Sequence, residues 1–178
     1  MLITVMWPPE LVITESMFRH YTGVAEIAGY LKENSVIVKK LSAQIDVVDC
    51  AVEVKTALNI ATIARKSSLI PIYVNMNNIL EAMQLARFMK GVHPELCIVF
   101  YGEAAACNPQ VFSELSYVDY VIGNGQTEYA LDYIICRLQG ASPEQYAGLI
   151  DNDIDINGKI ICVSKPLPCD LWGLPALD

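Results

Sequence analysis

Val118-Asp119-Tyr120-Val121-Ile122-Gly123-Asn124-Gly125-Gln126-Thr127-Glu128 decides how this chain is read. A short apolar strand ends in Gly-Asn-Gly, and a helix begins at once with Gln-Thr-Glu. Two glycines at a strand's carboxyl end let backbone take positive φ or approach a ligand closely. A helix opening beside them points free N–H groups into the same space. Open parallel sheets bind ligands outside the carboxyl ends of their strands. The segment is therefore one wall of a ligand crevice, or a tight strand-to-helix turn that binds nothing.

Outward from this segment, strands and helices alternate. Leu2–Trp7 reads as a strand, broken by Pro8-Pro9-Glu10, with a loop running to about His20. Residues 21–33 are expected as a helix, since Val24, Ile27, Ala28 and Leu31 recur at three- and four-residue spacing. The β-branched run Val36, Ile37 and Val38 predicts a second strand over Val36–Leu41. Residues 51–64 have helical spacing, with Asp49 as a candidate cap. Residues 70–75 form the expected third strand. Asn77 or Asn78 caps a helix over 79–90, which Gly91 ends. Residues 96–101 are the fourth strand, stopped by Gly102, and Asn108-Pro109 opens a short helix. Residues 117–122 are the fifth strand, and Thr127–Leu138 is the last long helix. Segments 147–151 and 159–163 flank Asn157-Gly158, a hairpin signal.

Strands separated by helices of this length imply right-handed βαβ units and a parallel sheet. The expected fold is α/β: a flavodoxin-like or Rossmann-like five-stranded parallel sheet, order 2-1-3-4-5, with helices on both faces. Residues 1–142 are the expected main domain and 143–164 a β-hairpin extension. Residues 165–178 hold three of the nine prolines and read as a linker.

Composition excludes several classes. The chain has 178 residues and is 53% hydrophobic, enough for a large core buried on both faces of a sheet. Its net charge is −8 with 12 basic residues, which disfavours nucleic acid and membrane surfaces as partners. No run reaches the length of a membrane-spanning helix, and the first residues read as a strand, not a signal peptide. Cys50, Cys97, Cys107, Cys136, Cys162 and Cys169 contain no C-x-x-C pair. Most lie in apolar runs, as small buried hydrophobes of a reduced, cytoplasmic protein do.

The strand ends collect glycine, asparagine, alanine and tyrosine, with few strong acids or bases. Such a rim suits a large, polar-edged ligand better than acid–base catalysis. There is no P-loop, no G-x-G-x-x-G after the first strand, and no G-x-S-x-G elbow. His93 reads as a surface loop residue, and His20 as a loop side chain or a metal ligand. Asp151, Asp153 and Asp155 lack the glycine and glutamate of a calcium loop and read as a solvated turn.

The 118–128 segment resembles the "VDYVVxGEGExT" segment in the N-terminal cobalamin-binding domain of cobalamin-dependent radical S-adenosylmethionine enzymes. Ile98-Val99-Phe100-Tyr101-Gly102-Glu103-Ala104 is similar to that family's "VVxGGPHA". Tyr21-Thr22-Gly23-Val24-Ala25-Glu26-Ile27-Ala28-Gly29-Tyr30-Leu31 is similar to its "PLGLxYLAAxL". Ala147-Gly148-Leu149-Ile150 with Asn157-Gly158-Lys159-Ile160 resembles its "IPGLVYRxxGxxV" hairpin. Asp170-Leu171-Trp172-Gly173-Leu174-Pro175 resembles the "DLDxLPxP" linker before its catalytic barrel. The ordered set spans nearly the whole chain.

The resemblance implies a Rossmann-like module gripping base-off cobalamin, with the nucleotide tail buried among the strand ends. The implied cofactor-binding residues are Trp7, Thr14, His20, Tyr21, Gly23, Asn75, Met76, Asn77, Gly102, Glu103, Ala104, Gly123, Asn124, Gly125 and Gln126. The implied partner is a radical S-adenosylmethionine barrel, as domain or subunit, in methyl transfer or related radical chemistry. The barrel's C-x-x-x-C-x-x-C iron–sulfur motif is missing, so no catalytic residue is assigned to this chain. The D-x-H-x-x-G signature becomes Phe18-Arg19-His20-Tyr21-Thr22-Gly23, which keeps His20 as a candidate lower cobalt ligand without its orienting carboxylate. Tyr101 stands at the first glycine of the "GG" turn, and Asn124 and Gln126 replace the carboxylates of "GEGE". Two alternatives follow from these departures: a cofactor-free docking scaffold, or a flavodoxin-like small-molecule protein.

Overall fold

The computed structural model describes residues 1–9, 22–53, 55–141, 150–151 and 158–163. In chain order the elements are β1 (Leu2–Trp7), α1 (Thr22–Glu33), α2 (Val36–Leu41), β2 (Gln44–Asp49), α3 (Ala57–Lys66), β3 (Leu69–Tyr73) and α4 (Ile79–Val92). They continue with β4 (Cys97–Tyr101), α5 (Glu103–Cys107), α6 (Pro109–Ser113), β5 (Tyr120–Ile122), α7 (Thr127–Leu138), β6 (Ile150–Asp151) and β7 (Ile160–Val163). The sheet order is β2-β1-β3-β4-β5-β7-β6. Neighbours from β2 to β7 are parallel, and β6 pairs antiparallel with β7. The 2-1-3-4-5 order of an α/β, flavodoxin-like sheet is present, lengthened at one side by β7.

Alternate residues of each central strand feed two apolar layers, as a pleat requires. Ile3, Val5, Trp7, Leu69, Tyr73, Val99 and Tyr101 pack with Val24, Ile27 and Leu31 of α1, Ile37 of α2, and Leu131 and Ile134 of α7. Met6, Ile70, Ile72, Ile98 and Phe100 pack on the other face with Ile60 of α3, Ala82 and Met89 of α4, and Phe112 of α6. Burial on both faces explains why β1, β3 and β4 read as unbroken apolar runs.

The sequence expectation fails at one place. Val36–Leu41, expected as a strand, is the helix α2, and the second strand is Gln44–Asp49. Ser35 caps α2, its hydroxyl accepting from the Val38 N–H at 3.2 Å, and Ser42 closes it with φ 48°. The same Ser35 hydroxyl donates to Asp132 Oδ1 at 2.6 Å, fastening α2 to α7. Cap and tertiary anchor together outweigh the β-preference of Val36, Ile37 and Val38. β2 is an edge strand with Gln44, Asp46 and Val47 exposed, so its apolar pattern is faint.

Smaller differences have local causes. α3 starts at Ala57, where Thr56 and Asn59 form a reciprocal capping box. Asp49 instead accepts from the N–H groups of Ala51 and Val52 just after β2. Gly91 lies inside α4, which ends at Val92. The expected hairpin pairing is seen in β6 and β7, yet β7 also joins the main sheet beside β5. Asn157, residues 147–149 and the linker 165–178 lie outside the described residues.

Buried Asp132 also accepts from the Tyr30 hydroxyl at 2.9 Å, so one carboxylate joins α1, α2 and α7. Asp132→Ala is expected to lower stability by about 2–3 kcal/mol, because it leaves buried donors unsatisfied. Urea unfolding measures this, and a loss below about 1 kcal/mol contradicts it.

Candidate functional site

The chain leaves β1, β3, β4 and β5 at the same edge of the sheet, so the four strand ends stand side by side. In a 2-1-3-4-5 order the connections diverge between β1 and β3, and that switch point is the usual ligand crevice. The last residues of those strands are Trp7 and Tyr73. Their rings stack, with centroids 4.5 Å apart and planes 11° from parallel. Tyr101, ending β4, meets Tyr73 edge-on at 5.4 Å. Trp7 is 2% exposed, Tyr73 9% and Tyr101 2%, so the three rings are a packed floor.

The glycines are shaped around this floor. A Cβ on Gly23 would lie 3.3 Å from the Tyr73 ring. Gly102 has φ +106°, and a Cβ there would lie 2.8 Å from the Val74 carbonyl oxygen and 3.0 Å from Tyr73. Gly123 and Gly125 answer to β7. A Cβ on Gly123 would meet Cys162 Sγ at 2.5 Å, and one on Gly125 would meet the Val163 carbonyl. The backbone there is stitched by Gly123 N–H to the Ile161 carbonyl and by Val163 N–H to the Asn124 carbonyl, both at 2.9 Å. The Gly123-Asn124-Gly125 turn is thus the docking seat of β7.

The asparagines are engaged locally. Asn78 Oδ1 accepts from Asn75 N–H at 2.9 Å, and its amide donates to the Tyr73 carbonyl. Asn75 Oδ1 accepts from Asn77 N–H at 2.8 Å. These Asx-type bonds build the turn into α4. Met76, Asn77, Glu103, Asn124 and Gly125 are exposed along the rim, whereas Ala104 is buried. Thr14, His20 and Tyr21 lie outside the described residues. Sequence reasoning missed Tyr73. Its only signal was an aromatic residue closing the third strand.

Among the described residues, two buried side-chain polar atoms have no hydrogen-bond partner: the Tyr101 hydroxyl and Gln126 Oε1. Both belong to this edge, at the end of β4 and the N-cap of α7. Burial holds the Tyr101 phenol well above its usual pKa, so it stays neutral and able to donate. Buried polar groups left open in this way are completed by water or a ligand.

The opposite edge is explained by structure. A groove of about 330 Å³ is lined there by Lys90, Asp119 and Lys159. Lys90 Nζ donates to both oxygens of Asp119 and to the Leu96 carbonyl, and Lys159 Nζ donates to the carbonyls of Leu115 and Val118. Asp119 Oδ2 also accepts from Ile98 N–H, so the "VDYV" aspartate holds β4 to the start of β5.

Among the described residues no group of His, Cys, Asp or Glu is arranged to hold a metal, and no helix is long and apolar enough to cross a membrane. Cys50, Cys97, Cys136 and Cys162 are buried and Cys107 is exposed. Burial pushes the thiols of Cys50 and Cys97 up to about 11 and about 12. At pH 8 iodoacetamide should therefore label Cys107 quickly, and Cys50 and Cys97 only on unfolding. Peptide mapping reads this, and rapid native labelling of Cys97 contradicts it. The raised thiols carry a pH effect of defined sign. Below the ordinary thiol pKa of 9.0 both states are neutral and full stability is kept. Above it the unfolded chain ionises first, so stability falls as the pH climbs toward the folded values.

No protein-family model matches the chain, and a search of curated proteins gave no match.

Proposed function

We propose that the chain is a cobalamin-binding module. It holds base-off (methyl)cobalamin along the carboxyl edge of the sheet for a radical S-adenosylmethionine domain or subunit, in methyl transfer or related radical chemistry. The reading rests on the ordered motifs and on one observation: four strand ends share one edge, and the two residues that carry unpartnered buried polar atoms stand at it. The residues fit a corrin. Met76, Asn77 and Asn124 stand exposed and uncharged on the rim beside Glu103, and the Gln126 amide complements a fringe of carboxamides. Cobalt, when the group is bound, supplies the methyl-transfer or radical chemistry. The chain's part is to bind and orient: rim residues against the macrocycle, Gln126 toward its amides, and His20 as the proposed lower ligand.

Mixing the protein with hydroxocobalamin, desalting, and recording the visible spectrum tests this. Retention of one corrinoid per chain is expected. Loss of all colour, in air and without oxygen, overturns it. His20→Ala is expected to alter the spectrum of the bound cobalt, and an unchanged spectrum removes the lower-ligand role.

A second reading, a cofactor-free scaffold that docks a catalytic subunit, draws on the protein's own filling of the space beside Gly23, Gly102, Gly123 and Gly125. Capture of a radical S-adenosylmethionine barrel by protein that retains no corrinoid would favour it.

A further inference from the structure

We infer that the corrinoid is held without burying its nucleotide at the switch point, so that the module does not favour cobalamin over the same ring lacking the nucleotide. This rests on the cobalamin reading above and narrows it. The crevice between β1 and β3 is where a slender ligand group would enter a sheet of this order. Here it is floored by Trp7 stacked on Tyr73 at 4.5 Å, with Tyr101 edge-on behind. All three rings are almost fully buried. Tyr73 is also held closely by Gly23 on α1, whose Cβ position is 3.3 Å from the ring, and by Gly102 after β4, which leaves no room for a Cβ. Tyr101 occupies the position of a glycine in the motif that the β4 segment resembles.

Admitting an aromatic base between these strands would mean expelling Tyr73 from a close-packed site. The rim above the floor keeps its exposed Met76, Asn77, Glu103 and Asn124. Recognition therefore falls on the macrocycle and its amides, and the nucleotide stays outside the sheet edge.

The test is a titration of the full chain with hydroxocobalamin and, separately, with diaquocobinamide, which has the same ring without the nucleotide. Cobinamide is expected to bind at least as tightly as hydroxocobalamin, since a nucleotide left outside the sheet edge returns none of the free energy spent in displacing its base from cobalt. In Tyr73→Ala, with the floor opened, hydroxocobalamin should gain over cobinamide by about tenfold. Wild-type preference for hydroxocobalamin of about tenfold or more would overturn the inference and leave the cobalamin reading standing. Binding of neither ring would remove that reading itself. The wild-type comparison decides the matter even if Tyr73→Ala does not fold.

Discussion

Gly125→Ala is expected to cost about 4 kcal/mol and to loosen β7 from the sheet, because two separate penalties coincide there. The residue has φ +103°, where an L side chain is strained. An added Cβ would also lie 2.1 Å from the Val163 carbonyl oxygen and 2.9 Å from the carbonyl carbon. These are backbone atoms of a paired strand, so no rotamer change relieves the clash. Gly140 is the internal control. It too has positive φ, at +62°, but nothing lies within 4 Å of its Cβ position. Gly140→Ala should therefore cost only about 1 kcal/mol. Urea unfolding of both variants, with amide exchange at Val163, separates clash from dihedral strain. Equal losses at the two positions would show that the seat of β7 is not tight.

Trp7→Ala is expected to cost about 3–5 kcal/mol, the range for truncating a large buried aromatic residue. The indole is 2% exposed and lies flat on Tyr73, so its removal opens a hole under the candidate site and not at the surface. Thermal and urea unfolding measure the loss. A cost below about 1.5 kcal/mol would mean that the floor collapses around the gap. Affinity for hydroxocobalamin relative to cobinamide should shift in Trp7→Ala as in Tyr73→Ala, since both variants empty the same crevice.

Elements buried on both faces were legible in the sequence because their apolar runs are unbroken. β1, β3 and β4 belong to this class; α7, an amphipathic helix with one buried face, also matches its expected bounds residue for residue. The exchange of strand and helix over 36–49 was not legible. The bond that settles it runs from Ser35 to Asp132, far along the chain. β2, an edge strand, keeps too little apolar alternation to announce itself. The candidate site divides along the same line. The glycines of the 123–125 turn could be seen, but not that their neighbours are Cys162 and Val163. Likewise Gly23 and Gly102 could be proposed as ligand-facing, while the ring that fills their space comes from Tyr73 on a third element. Sequence marks where a side chain must be small. The fold decides whose atoms use the room.

β7 runs parallel to β5, so its final residue, Val163, finishes beside Gly125 at the same edge as the rim. Anything joined to the chain beyond that residue is tethered at the mouth of the candidate site. A tether so placed raises the effective concentration of the attached group over the rim, and shortening it would raise that concentration until the reach fails. The route of β7 through the sheet thereby fixes the starting point of any such attachment at this edge.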